Sequence, residues 1–331
     1  MERFALAAAV VLGFALTAAL CSLFVPLRRV LERREQNQQP AQPEQPRPAP
    51  LHAPLWGGLC AAAGTVAAVG VGWLAACVGQ PELLGSEGRL MTRLLTALAG
   101  SLAFGAVGLA EDLARMRSPA ALGLRRDVRL LLEALAAAFV LLLLQAAGCL
   151  PRGLDVPGAG YVLLGSAVPF LWAVLMVALA ECARIAERDE GTVCGAAFVA
   201  MLALMMAEAG LGVPGLAVLP AALAGALVAL LLWAFPPARL GVGCCGSLLA
   251  AGAIGCIPLS LDMTSLTVPL ALPFWAAGGL WAAQLLGAKR TGKPLRCWVK
   301  KHKMSPETVF LCSFALSAVG YVLALALLRW C

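Results

Sequence analysis

An all-α fold of about ten membrane-spanning helices is what this sequence predicts, and three observations predict it. The composition is 61% hydrophobic and 13% charged, with a mean hydropathy of +0.86, whereas soluble domains are roughly 45–50% apolar and about 25% charged. About ten apolar runs are long enough, or nearly so, to cross a hydrocarbon core about 30 Å thick as helices. The basic residues, finally, concentrate in alternate connections, the asymmetry that orients polytopic membrane proteins.

The first run, 4–24, follows Arg3 and resembles a secretory signal. Its length, the basic stop after it, and Leu20 where a lipoprotein signal needs a small residue predict a retained helix instead. The Gln/Pro-rich stretch "QNQQPAQPEQPRPAP", 36–50, has no apolar periodicity and reads as an extended linker inside a single transmembrane domain covering 1–331. The remaining spans are expected at 56–78, 94–109, 130–147, 161–179, 193–211, 216–233, 247–261, 268–286 and 309–328, the runs at 94–109 and 247–261 being short.

Arg28, Arg29, Arg33, Arg34 and Arg47 follow the first run, and Arg115, Arg117, Arg125, Arg126 and Arg129 the third. Arg184 and Arg188 follow the fifth and Arg239 the seventh. Lys289, Arg290, Lys293, Arg296, Lys300, Lys301 and Lys303 follow the ninth, so these loops hold all but five of the 25 basic residues. They are therefore expected to be cytoplasmic, with both termini outside. The net charge of +7 then needs no nucleic acid as partner, because it lies where anionic headgroups of the lipid bilayer attract it. Most of the 12 cysteines lie in apolar runs without metal-knuckle spacing and read as small buried hydrophobes. Cys244–Cys245 is expected in a cytoplasmic loop.

The cytoplasmic loops read, in order, "APLWGGL" at 53–59, "VGLAEDL" at 107–113, "GLRRDVRLL" at 123–131, "ARIAERDEG" at 183–191, "GVGCCGSL" at 241–248 and "KPLRCWVKKHKMSPETV" at 293–309. This series resembles the polyprenyl-phosphate phosphosugar transferases (glycosyltransferase family 4), most closely the phospho-N-acetylmuramoyl-pentapeptide, or MraY-like, branch. Pro54, Gly57 and Gly58 match the family's segment opening the second helix, with Leu55 and Trp56 in place of Thr and Met. Glu111 and Asp112 match an Asp-Asp pair, and Arg129 stands at a family Lys. Arg184 falls on an Asn, Glu187 and Glu190 on two Asp, Arg188 on a Gly and Gly191 on a Gly. Gly243, Gly246, Ser247 and Leu248 match, while Cys244 replaces the essential Asp. Arg296, Cys297 and Trp298 replace three histidines.

The resemblance implies a bacterial cytoplasmic-membrane protein of cell-wall or envelope glycan synthesis. Its reaction would move a phosphosugar from UDP-MurNAc-pentapeptide or a related UDP-sugar to undecaprenyl phosphate, with Mg²⁺. A homodimer is compatible with it. Carried over, Glu111, Asp112, Glu187 and Glu190 are the catalytic candidates, and Asp112, Glu187 and Glu190 the metal candidates. Arg129, Arg184, Gly243, Gly246, Ser247 and Arg296 are the substrate-binding candidates. The substitutions predict impaired chemistry. Mg²⁺ wants oxygen ligands near 2.0–2.1 Å, a thiol is soft and neutral at rest, and Glu for Asp shifts a carboxylate by an amount that can cost on the order of 10²-fold in rate.

Other readings stay open on the sequence. Glu111–Asp112 fits a solvated helix end, and residues 187–190 fit a self-paired loop. Cys244–Cys245 fits inert packing or a soft-metal or redox pair, and the 289–303 run fits plain orientation charge or phosphate attraction. The functional rivals are a pseudoenzyme holding undecaprenyl phosphate or an envelope partner and, through Glu208 inside a span, a small-molecule transporter.

Overall fold

The structure, a computed structural model, describes residues 2–38, 56–79, 88–117, 123–151, 153–156, 160–163, 165, 167–187, 191–213, 215–236, 238–287 and 305–330. Ten longer helices are present among the described residues: α1 Glu2–Gln38, α2 Gly57–Gly79, α3 Gly88–Arg117, α4 Arg126–Ala146, α5 Ala167–Ala186, α6 Thr192–Gly210, α7 Val218–Ala234, α8 Gly243–Ser260, α9 Leu272–Gly287 and α10 Pro306–Trp330. Each expected apolar run holds one. Seven are long and apolar enough to cross a membrane, or eight if the bent segment before α9 is counted with it, while α7 is apolar but has 17 residues, about 25 Å of helix.

Several boundaries differ from the sequence reading. The run at 94–109 is no short span: α3 has 30 residues, about 45 Å, and carries Glu111, Asp112 and Arg115 on its last turns. The helix expected from 161 starts at Ala167. Before it lies an antiparallel hairpin, β1 Gly153–Val156 with β2 Gly160–Leu163, pairing Gly153 with Leu163 and Val156 with Gly160. The last span but one is broken. Thr264–Leu270 meets Leu272–Ala283 at 65°, and Pro273 sits in the first turn after the break, where its missing N–H leaves no helical bond unmade. The helix α1 runs three residues into the expected linker. Cys244 and Cys245 lie in the first turn of α8 rather than in a loop.

The core forms around α8, all of whose residues are buried. Its small side chains let α3, α5, α2 and α6 pack closely about it, while α1 packs on α7 and α2. A Cβ at Gly58 would overlap the backbone of Gly246, and one at Gly108 the carbonyl of Cys244, so α2 and α3 touch the start of α8 backbone to backbone. Leu74, Leu142, Phe170, Leu232, Leu311 and Val322 point outward, where a soluble protein would place polar groups and a membrane protein meets lipid. Seven of the ten described cysteines are buried, in keeping with their reading as small hydrophobes.

Candidate functional site

The site grows from four helix ends that meet. The last turns of α3 supply Glu111, Asp112 and Arg115. The first turns of α4 supply Arg129 and Glu133, and the last turns of α5 supply Glu181 and Arg184, with Glu187 just beyond. The first turn of α8 supplies Cys244 and Cys245.

An α-helix begins with backbone N–H groups that have no partner within it. In α8 the N–H of Cys244 donates to Asp112 Oδ1 at 3.0 Å, and that of Cys245 to Asp112 Oδ2 at 2.9 Å. A carboxylate on a helix N-terminus is favoured both by those donors and by the helix dipole. Gly243 makes the entry turn with φ of +72°, a conformation open to glycine. The preceding loop is stitched to α2 as well: the N–H of Gly57 donates to the Gly241 carbonyl (3.2 Å) and that of Gly58 to the Val242 carbonyl (2.9 Å). The side chain of Trp56 stacks on Phe24 at 5.7 Å between centroids, an apolar role for the residue standing at the family's Met.

Around Asp112 lies a network of alternating charges. Arg115 Nη2 bonds Glu111 Oε1 at 2.7 Å, while its Nη1 is 3.9 Å from Asp112 Oδ1 and 3.8 Å from Glu187 Oε2. Arg129 Nε bonds Glu181 Oε1 at 2.7 Å, and its Nη1 is 3.6 Å from Glu111 Oε1. Glu181 Oε2 takes a second bond, from Arg184 Nη2 at 2.6 Å. Glu133 Oε1 is 4.0 Å from Arg129 Nε. These charges are largely withdrawn from solvent: Glu111, Asp112, Arg129 and Glu133 are all buried. Pairing and hydrogen bonding offset the cost of burying ions, and short charge-assisted bonds to guanidinium are among the stronger ones; Glu133 is the exception, neither of its oxygens having a hydrogen-bond partner among the described residues. The buried Cys244 thiol lies in the electrostatic field of Glu187, Arg115, Glu111 and Asp112.

The structure thus brings together Glu111, Asp112, Glu187, Cys244, Arg129 and Arg184. Arg184 sits on α5 rather than in a loop. Gly246 packs against Gly58, and the Ser247 hydroxyl donates to the Cys244 carbonyl at 3.1 Å. Glu190, Arg188 and Arg296, with Pro54, Leu55, Cys297, Trp298 and the 289–303 basic run, lie outside the described residues.

Three members of the network were not singled out from the sequence as site residues: Arg115, Glu133 and Glu181. Each carries a readable signal. Arg115 follows Glu111 by four residues, Glu133 follows Arg129 by four, and Glu181 precedes Arg184 by three, the spacings at which helical side chains meet.

The described residues do not by themselves fit the Mg²⁺ that the resemblance implies, Glu190 lying outside them. Both Asp112 oxygens accept backbone N–H groups, Glu111 and Glu187 face Arg115, and position 244 offers sulfur. Among the described residues no group of three or more His, Cys, Asp or Glu side chains is arranged to hold a metal ion.

Comparison with known proteins places this arrangement. The chain is similar to the phospho-N-acetylmuramoyl-pentapeptide-transferase of Mycobacterium tuberculosis (strain ATCC 25618 / H37Rv), 28% identical over 265 residues that cover 72% of each chain. The enzyme of the same name from Desulforudis audaxviator is 32% identical over 170 residues, 48% of this chain and 50% of that one. That of Synechococcus sp. (strain RCC307) is 30% identical over 212 residues, 63% and 55%. The sequence profile of Glycosyl transferase family 4 matches residues 94–262. That stretch contains Glu111, Asp112, Arg129, Arg184, Glu187 and Cys244 and the helices that gather them, and the chain belongs to glycosyl transferase family 4.

Proposed function

We propose that this chain holds a polyprenyl phosphate, with a UDP-sugar as its second ligand, where α3, α4, α5 and α8 meet. In this reading it is a phosphosugar-1-phosphate transferase of peptidoglycan or related envelope synthesis whose transfer step is reduced or lost. Similarity to phospho-N-acetylmuramoyl-pentapeptide-transferases supports a phosphosugar as the transferred group, and the family resemblance of the loops supports the two ligand classes. Undecaprenyl phosphate is the polyprenyl phosphate of choice. The site faces the cytoplasm of a bacterial membrane with both termini outside, a reading supported by the distribution of Lys and Arg.

One observation carries the impaired chemistry: Asp112 is committed through both oxygens to the start of α8, beside Cys244. Phosphoryl transfer rests on positioning and on cationic stabilisation of spread negative charge. Here the carboxylates that would arrange those cations are already engaged by Arg115 and Arg129. What survives suits binding. Arg125 and Arg126 are exposed at the start of α4, and the guanidinium fork is matched to phosphate. The same commitment of Asp112 favours the stricter form of the reading, a pseudoenzyme that binds lipid phosphate without turning it over.

The test is binding of undecaprenyl phosphate to the full chain in detergent, followed by native mass spectrometry against phosphatidylglycerol. We expect a preference for the polyprenyl phosphate, weakened severalfold by Arg125→Ala with Arg126→Ala. Equal retention of the two lipids contradicts the proposal.

A further inference from the structure

We propose that the guanidinium of Arg115 is the resident cation of this carboxylate cluster, standing where a divalent metal ion would otherwise balance Glu111, Asp112 and Glu187, so that the chain holds its phosphate ligand without one. The inference takes only the location of the ligand from the function proposed above.

Three carboxylates converge on one side chain. Glu111 and Asp112 come from the α3 turn preceding Arg115, and Glu187 comes from just beyond α5, so the guanidinium bridges two helix ends that no covalent link holds together. A divalent ion in such a cluster performs the same bridging, but it must find oxygen lone pairs. Here Glu111 Oε1 faces Arg115 Nη2 (2.7 Å) and Arg129 Nη1 (3.6 Å), and each Asp112 oxygen accepts an α8 N–H, so that of these four oxygens only Glu111 Oε2 is left without a hydrogen-bond partner among the described residues.

The stem of Arg115 is also flanked by backbone. Gly123, with φ of +68°, lies over it closely enough that a Cβ there would come within 3.1 Å of Arg115 Cγ and 3.3 Å of its Nε, and within 3.6 Å of Glu111 Cγ. A side chain at position 123 would therefore crowd Arg115 in its paired position, and glycine there leaves room for it. An incoming phosphate, an acceptor like a carboxylate, can replace Glu187, 3.8 Å away and on a separate helix end, on Arg115 Nη1 without disturbing the 2.7 Å bond to Glu111.

The probe is Mn²⁺, a spectroscopic divalent ion of similar oxygen preference, added to the detergent-purified full chain. Bound ion is read by electron paramagnetic resonance, and stabilisation by the shift in melting temperature against a chelator, since only an ion that binds the folded state stabilises it. For the wild type we expect no specific bound signal and no shift. For Arg115→Gln, which removes the cation shared by Glu111, Asp112 and Glu187 and frees Glu111 Oε1 and Glu187 Oε2 from it, we expect one bound ion per chain and a melting temperature raised by Mn²⁺. Arg115→Lys keeps the charge and should behave as the wild type.

A stoichiometric Mn²⁺ signal in the wild type that Glu187→Gln removes overturns the inference, and so does a folded Arg115→Gln that gains no ion. If Arg115→Gln does not fold, the wild type decides alone: silence upholds the proposal and a bound ion ends it. Undecaprenyl phosphate binding in the presence of the chelator is measured separately, so a metal-binding wild type would overturn this inference while leaving the proposed function standing.

Discussion

Asp112 and Glu208 are both buried carboxylates near the end of an apolar helix, α3 and α6 respectively, and their surroundings differ. Asp112 has both oxygens hydrogen-bonded to the start of α8 and a guanidinium within 3.9 Å. Glu208 makes no ion pair among the described residues, and its Oε2 has no hydrogen-bond partner there. Burial alone therefore says little about use. A buried carboxylate whose lone pairs are met by groups from another helix is part of what fastens that helix, whereas one without such partners is a cost that packing elsewhere must offset. The suspicion of transport drawn from Glu208 in the sequence rested on its position inside a span, a property the two residues nearly share.

Substitution should separate them. Asp112→Ala removes two hydrogen bonds to a charged group, each contributing about 1.5–3 kcal/mol, and strands two buried donors. We expect a large fall in melting temperature in detergent or no folded protein at all. Glu208→Leu should leave the melting temperature unchanged or raised, since an apolar side chain replaces a buried polar one. Equal losses for the two variants would erase the distinction.

Glycine substitutions test the same contrast through packing. A Cβ at Gly108 would collide with the Cys244 carbonyl, next to the N–H that Asp112 accepts, whereas nothing lies within 4 Å of one at Gly210, two residues from Glu208. Gly108→Ala should destabilise by about 1–3 kcal/mol, as overpacking does. Gly210→Ala should be neutral or stabilising by up to about 1 kcal/mol through helix propensity. Thermal melts of the two side by side provide the check.

How much of this was legible follows from which physics each feature uses. Hydropathy located the ten helical segments, because apolar length is written along the chain. It could not separate centre from periphery: α8 and α10 are both strongly apolar, with hydropathies of 1.6 and 2.2, yet the best spanning window of α8 is 100% buried in protein and that of α10 only 17%. Helix ends were misjudged where polar side chains find partners in other helices, as at Glu111 to Arg115, since a charge near a helix end looks from sequence alone like the end of the helix. The hairpin at 153–163 and the bend before α9 depend on local turns that an apolar run conceals.

For the site, the order of the loops pointed to Glu111, Asp112, Glu187 and Cys244, and the structure brings these together. The roles were less readable. That Asp112 caps α8 requires knowing that α3 passes the start of α8, and that Arg115 faces Glu187 requires knowing that α3 and α5 end at the same level. Helical spacing marks Arg115 as a neighbour of Glu111 and leaves the third carboxylate invisible.

In the proposed function a family 4 scaffold turns carboxylates toward its own arginines and backbone and is expected to lose most or all of its transfer chemistry. The most direct measurement is Mg²⁺-dependent transfer from UDP-MurNAc-pentapeptide to undecaprenyl phosphate, by the purified chain beside an intact phospho-N-acetylmuramoyl-pentapeptide transferase assayed in the same detergent. Little or no lipid-linked product is the predicted result. Turnover comparable to the intact enzyme would contradict it.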